Sequence, residues 1–201
     1  MTRKYTLRRR ADRQAATQQR IVEATVELHG TVGPVATSVT AIAKRAGVER
    51  HTFYRHFPDT ASLFAACRTH LIEKTPAPDP TRWLEEADLD KRSRAGLLEA
   101  YRYYADHEGP MTYILRDAII GPFGQMFKRY QATLVDVLMT GRRARGGRRS
   151  GLVAALALAA DFWTWRTLVR GQGLSIEAAT DLMLGLIRHA EGGKNEARRP
   201  R

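Results

Sequence analysis

Apolar residues recur along this chain at three- and four-residue intervals, the spacing of one face of a helix rather than the alternation of a strand. From Arg20 to Val32, Ile21, Ala24, Leu28 and Val32 keep that spacing, and Gly33-Pro34 ends it. Two short patterns follow between Val39 and Phe57, and Pro58-Asp59 opens a fourth that runs through Leu63, Phe64 and Cys67 to about Glu73. The proline-rich stretch Thr75 to Pro80 reads as a loop. Lys91 to Asp106 is amphipathic, with Leu97, Leu98, Tyr101 and Tyr104 inward, and Glu108-Gly109-Pro110 breaks it. Met111 to Ile120 predicts a short helix ended by Gly121-Pro122, and Phe123 to Met139 a longer one carrying Phe127, Tyr130, Leu134 and Leu138. Residues 140–151, TGRRARGGRRSG, read as a flexible loop. Leu152 to Arg170 and Ile176 to Glu191 form the last and most apolar pair, separated by Gly171 and Gly173. The pattern predicts an all-α chain of about nine helices.

The segment Val39 to Phe57, VTAIAKRAGVERHTFYRHF, is the most informative. Ile42 and Ala46 share one face of its first helix, and Ala43 is small enough for a second helix to cross closely. Gly47 supplies the left-handed backbone that ends the first helix, and Val48 fills the angle between the two. Phe53 and Phe57, four apart, bury the second helix, so that Arg50, His51, Tyr54 and Arg55 face outward. This is the pattern of a helix-turn-helix whose second helix enters a major groove. Arg50 and His51 are the candidate base contacts, since arginine donates twice to guanine and histidine donates or accepts. Thr37 and Ser38 are good N-caps whose hydroxyls and nearby amides suit a phosphate oxygen. Lys44 and Arg55 add electrostatic attraction.

Residues 20 to 64 resemble the DNA-binding domain of TetR-type (TetR/AcrR family) transcriptional regulators. The resemblance rests on Gly33, Thr37, Ile42, Ala43, Ala46, Gly47, Val48, Thr52, Tyr54, His56, Phe57 and Leu63, in a gap-free match. It implies an N-terminal three-helix helix-turn-helix domain joined to a larger helical ligand-binding and dimerisation domain. It also implies Thr52, Tyr54 and His56 as further phosphate contacts, and a homodimer formed through the last two helices. Such a dimer reads a palindromic double-stranded operator. A small-molecule effector in the C-terminal domain would release it, with the helix from Asp59 to Glu73 transmitting the change. The departures are Glu49 where the family usually has Ser, His51 where it has Gly, Thr60 where it has Lys, and His29 where it has a buried aromatic.

Charge sharpens this picture. The 201-residue chain carries a net +12, and residues 1–57 hold eleven Lys or Arg against four Asp or Glu. Residues 58–141 hold ten against twelve. Positive charge thus gathers on the segment that carries the motif, as phosphate binding requires. The expected division is a basic arm and reading domain over 1–57, and a regulatory and dimerisation domain over 58–201. Arg3, Lys4, Arg8, Arg9, Arg10 and Arg13 make an arm that either enters a minor groove or remains a solvated tail. The arginines of 142–149 and the C-terminal Arg198, Arg199 and Arg201 read as solvated surface.

One cysteine, Cys67, argues for a reducing cytoplasm, and no apolar run approaches the ~20 residues that span a bilayer. No membrane partner is expected. Tyr101, Tyr104, His107, Met111, Tyr113, Phe123, Phe127, Tyr130, Phe162 and Trp163 are the aromatic and polar candidates for an effector pocket, with plain core as the competing role. His107 and Arg116 suit an anionic or polar ligand. Paired metal-spaced Cys or His, a phosphate loop and a nucleophile motif are all missing from the sequence, so neither enzyme activity nor a metal or cofactor is expected. A DNA-binding architectural protein without a ligand switch is the alternative. It would bind with little sequence preference, and it leaves the large second domain without a role.

Overall fold

The absence of proline and of interior glycine over the first 29 residues, with many Arg, Gln and Ala, favours one long helix. A computed structural model, which describes the backbone of residues 2–117 and 122–192 and the side chains of 8–117 and 124–192, shows that helix and an all-α fold. Helix α1 runs Thr2–Thr31 without a break. The stretch expected as an arm is therefore helical, because nothing in its sequence interrupts the pattern begun at Ile21. Arg3, Lys4, Arg198, Arg199 and Arg201 have side chains outside the described residues.

Helices α2 (Val39–Ala46), α3 (Arg50–His56) and α4 (Thr60–Lys74) follow at the expected places. A 3-10 turn, Pro80–Glu85, precedes α5 (Leu89–Asp106). Helix α6 begins at Glu108 and runs to Asp117. The expected break at Glu108-Gly109-Pro110 is instead its first turn, where a proline sacrifices no intrahelical hydrogen bond. Helix α7 is Pro122–Met139, α8 Gly146–Ala159, α9 Phe162–Arg166 continuing as a π-helical turn to Gly171, and α10 Ile176–Glu191.

The chain forms two compact units: residues 1–77 with 108–124, and residues 78–107 with 125–201. The first is held by a core of Ile21, Val22, Ala24, Ile42, Ala46, Phe53, Phe57 and Cys67, which unites α1 to α4. Burial pushes the Cys67 thiol up to about 12, so it packs as an unreactive small hydrophobe. Helix α6 belongs to this unit and packs on α1. Its Arg116 donates to the Val32 carbonyl (3.0 Å), and its Asp117 accepts from the Val35 amide (3.0 Å). Arg116, considered above for an anionic ligand, therefore secures the turn between α1 and α2. Gly33 sits in that turn at φ 97°, and a Cβ there would lie 2.3 Å from the Asp117 carboxylate.

In the second unit α10 packs on α5 and α8. Two corrections fall here. The loop expected over 140–151 closes by Arg145, because Gly146 begins α8. Burial of Leu152, Ala155, Leu156 and Ala159 outweighs the entropy lost by the glycines of the first turns. The helix expected over 152–170 is also divided, with a 58° bend between α8 and the segment Phe162–Gly171. Asp161 causes the break: its carboxylate accepts from the Trp163 and Thr164 amides (2.8 and 3.0 Å) and caps a new helix.

Arg142 departs from the solvated reading of its cluster, whose other arginines are exposed. Its side chain is 0% exposed and donates to the Leu138 carbonyl (3.0 Å), the Leu89 carbonyl (3.2 Å), Ser93 Oγ (2.8 Å) and the Glu191 carboxylate. A buried guanidinium is tolerated only with such partners, and this one ties α5, α7 and α10 together. Nearby Arg92 donates to the Glu86 and Thr140 carbonyls, both at 2.8 Å. Gly96 on α5 is needed for close approach, since a Cβ there would lie 2.7 Å from the Trp83 ring.

His29, half-buried in the first unit, generates a pH test. Burial lowers its pKa below the ordinary 6.5, while Asp117 pulls the other way. The folded chain then resists a proton that the unfolded chain accepts, so stability is full above that value and declines as pH falls through it. His29→Phe should flatten the decline in urea midpoint between about pH 7.5 and 5.5. A variant that declines as steeply as the wild type would exclude His29 as the source.

Candidate nucleic-acid interface

Helix α2 begins at Ser38, whose hydroxyl oxygen accepts from the Ala41 amide at 3.1 Å. Thr37 Oγ1 donates to the Gly33 carbonyl at 2.8 Å. Both hydroxyls thus hold the entry to α2. Ser38 keeps its proton for another acceptor, whereas Thr37 must turn to donate elsewhere. At the other end Gly47 adopts φ 65°, ψ 42°, and the Val48 amide donates to the Ala43 carbonyl at 3.0 Å. This is a Schellman-type ending, and it aims α3 away from α2.

Helix α3 is held by Phe53 and Phe57, 3% and 2% exposed, with ring centroids 6.1 Å apart. Their burial leaves Arg50, His51, Tyr54 and Arg55 on the exposed side, with Thr52 and His56 half-buried at its margins. The outward set expected from the sequence is therefore brought together on one face. Tyr54 is 46% exposed, and its ring packs against Phe53 in a T-shaped pair. His51 Nε2 and Thr52 Oγ1 lie 3.2 Å apart, so each hydroxyl or imidazole contact engages the other. Lys44 is exposed on α2, and its neighbour Arg45 is paired with Glu27 of α1 at 2.6 Å.

The N-terminal half of α1 completes this surface. Arg10, Arg13, Gln14 and Thr17 line an open cleft together with Arg55 and His56 of α3. Burial and the adjacent Arg55 lower the His56 pKa below its ordinary value. Sequence reasoning assigned Gln14 and Thr17 no role. Their spacing with Arg10 and Arg13 would have placed all four on one helix face, had the helix been extended before Arg20.

The ten residues considered for an effector pocket fall in both units. Tyr101, Tyr104 and Phe162 share a buried cluster with Trp165, with Tyr104–Phe162 and Tyr104–Trp165 centroids 5.6 and 5.9 Å apart. The Tyr101 and Tyr104 hydroxyls donate to the Ala159 and Ala160 carbonyls at 2.8 and 2.7 Å, tying α5 to the end of α8. Tyr130 donates to the Pro78 carbonyl at 2.9 Å. His107 ends α5 and stacks on Tyr103 at 4.3 Å. Phe127 is half-buried on α7, and Trp163 is 39% exposed. Met111 and Tyr113 lie on α6 in the other unit, and the Phe123 side chain is outside the described residues. Trp165, which sequence reasoning passed over, is wholly buried with an indole N–H that has no hydrogen-bond partner among the described residues. Among those residues no three His, Cys, Asp or Glu side chains are grouped to hold a metal ion. No single described helix is long and apolar enough to cross a membrane.

Residues 21–67 match the family model described as bacterial regulatory proteins, tetR family. No curated protein matches the chain. Among solved structures, a TetR-like transcriptional regulator from Rhodococcus sp. RHA1 is similar, with a TM-score of 0.55 and 20% identity over 88% of this chain and 96% of that one. A TetR transcriptional regulator from the same organism gives a TM-score of 0.45 and 19% identity, over 89% of this chain and 97% of that one. The first shows a common fold.

The α3 N-cap yields a prediction about the reading helix itself. Glu49 occupies that position without a side-chain cap hydrogen bond. Glu49→Ser should supply one and raise stability by about 1 kcal/mol, read as a higher urea midpoint at unchanged slope. An unchanged or lower midpoint would show that the α3 N-terminus is already satisfied.

Proposed function

We propose that this chain, whose residues 21–67 match the tetR family of bacterial regulatory proteins, binds a palindromic DNA operator as a homodimer, represses transcription there, and is released by a small-molecule effector. The observation that carries the DNA reading is the face of α3. Arg50 and His51 stand outward at its start while Phe53 and Phe57 anchor its back, which suits insertion into a major groove. Arg50 and His51 read base edges. Ser38, Thr52, Tyr54 and His56 contact phosphates, Thr37 does so after turning its hydroxyl from Gly33, and Lys44 and Arg55 add attraction. In this reading residues 1–57 recognise DNA and 58–201 regulate and dimerise.

A second copy is the proposed occupant of the outer face of α8 and α10. These helices pack on each other, and on their outer sides Leu158 and Leu182 are each 50% exposed. Gly151 and Ala154 on α8, with Ala178 and Gly185 on α10, are small and exposed and allow close helix approach. Two neighbouring helices with such faces suit a four-helix contact between copies. Support for an effector comes from Trp165. A buried indole N–H without an acceptor is unfavourable, and a ligand bearing a carbonyl or other acceptor would satisfy it. The effector need only prefer, by a few kcal/mol, the state in which the two reading helices are wrongly spaced. A regulator of this kind works in the cytoplasm.

Mobility shift on the DNA upstream of the protein's own gene tests the reading. Arg50→Ala should cost about 1–3 kcal/mol on the preferred sequence and relax preference at the contacted base pair. Sequence-independent retardation, unaffected by Arg50→Ala, would instead favour an architectural role. Leu182→Glu should convert a dimer to a monomer in sedimentation, and a dimer that persists would place the contact elsewhere.

A further inference from the structure

The cations of this chain differ sharply in whether they have partners. In the second unit Arg94 pairs with Asp181, Arg188 with Asp90, Arg102 with Glu177 and Arg142 with Glu191. In the first, Arg45 pairs with Glu27 and Arg116 with Asp117. Arg10, Arg13 and Arg55 line one cleft with Gln14, Thr17 and His56, and none of the three forms an ion pair among the described residues. Three unneutralised guanidinium groups in one open cleft repel one another. Such a cluster is stabilised by an anion, and bidentate donors suit phosphate oxygens in particular.

The cleft is also built in advance. Arg10, Arg13 and Thr17 lie at i, i+3 and i+7 on an unbroken helix, so they form a fixed row roughly 10 Å long. Arg20 extends the row: it donates to Thr17 Oγ1 and passes beside Gly47, the turn between α2 and α3. The row therefore flanks the helix-turn-helix from its central turn to the end of α3. A free tail would lose conformational entropy on binding, whereas these arginines are already placed. The His56 ring adds a further polar group at the α3 side of the cleft.

We propose that the N-terminal half of α1 is a second DNA-contact element, in which Arg10, Arg13, Gln14 and Thr17, together with Arg55 and His56, clamp the phosphate backbone beside the groove that α3 reads. This rests on the DNA-binding reading above and adds residues and a mode to it. The ligand is duplex backbone rather than a small anion because the cleft is open and shares Arg55 with the exposed side of α3. These contacts carry no base information, so they set affinity and orientation while Arg50 and His51 set sequence.

The test uses the full chain and fluorescence anisotropy on two labelled duplexes, one enriched from a random pool by the wild type and one of the same composition scrambled. Affinities are measured from about 50 to 200 mM salt, where the log–log slope reports the phosphates neutralised. Arg10→Gln/Arg13→Gln keeps good helix formers, and circular dichroism checks that the helix remains. The double variant should lose affinity by the same factor on both duplexes, and its slope should be shallower by roughly 1.8 per bound protomer. Arg143→Gln/Arg145→Gln, which removes the same charge from exposed positions of the second unit, should leave the slope nearly unchanged. An Arg10/Arg13 variant with the wild-type slope, or a control with an equal change, overturns the proposal. Loss of preference in Arg50→Ala alongside either result leaves the operator reading standing by itself. A wild type that cannot tell the two duplexes apart, yet whose slope depends on Arg10 and Arg13, retains the clamp and removes the specific operator. A wild type that binds neither duplex overturns both.

Discussion

The burial of Phe53 and Phe57 against Ile42, Ala46 and Ile21 is the contact on which the reading surface depends. A seven-residue helix such as α3 has little stability of its own and no side-chain N-cap to help it. Its orientation is decided almost entirely by which side is apolar. Two phenylalanines one turn apart pull that side inward, and the polar residues between them are presented outward as a consequence. Truncating either ring would leave a cavity costing about 3–5 kcal/mol, and would remove the reason for Arg50 and His51 to face outward.

Around that anchor, the first unit is braced from two directions. From within, Gly47 and Val48 fix the angle between α2 and α3. From outside, α6 packs on α1 and grips the α1–α2 turn through Arg116 and Asp117. Gly33 is required in that turn twice over, by its positive φ and by the closeness of the Asp117 carboxylate. A helix distant in sequence thereby stabilises the entry to the helix-turn-helix. The second unit uses a different device, in which a buried guanidinium satisfies carbonyls and a carboxylate from three helices. Arginine serves this role because its planar fork directs several donors at once.

Much of the fold was legible because helix signals are local. The extent of α10, Ile176–Glu191, follows from the apolar spacing after Gly171 and Gly173, and the structure has the helix where that pattern places it, capped by Ser175 and Gly192. The outward set on α3 was legible for the same reason. The arm of Arg3 to Arg13 does not read as helix in the sequence because it offers no apolar face, although nothing in it breaks a helix. The break at Asp161 was missed because aspartate is a cap only when the chain turns there. Arg142 reads as surface in the sequence because a buried arginine is distinguished from an exposed one by its partners alone, and Leu89, Ser93 and Glu191 are far away in sequence.

Determined by the sequence itself, then, were the helical class, the helix-turn-helix and its polar face, since each rests on periodicity, a glycine turn and residues within one or two turns of each other. Only the tertiary structure decided which arginines are structural, that Arg10, Arg13 and Arg55 form no ion pair among the described residues, and that α6 braces the first unit. It alone set the α1 row beside Arg55 and His56, and placed Tyr101, Tyr104 and Phe162 in a core with Trp165. The reason is physical. Local geometry follows from neighbouring residues, whereas the state of a charge or a buried polar group follows from whatever the folded chain brings against it.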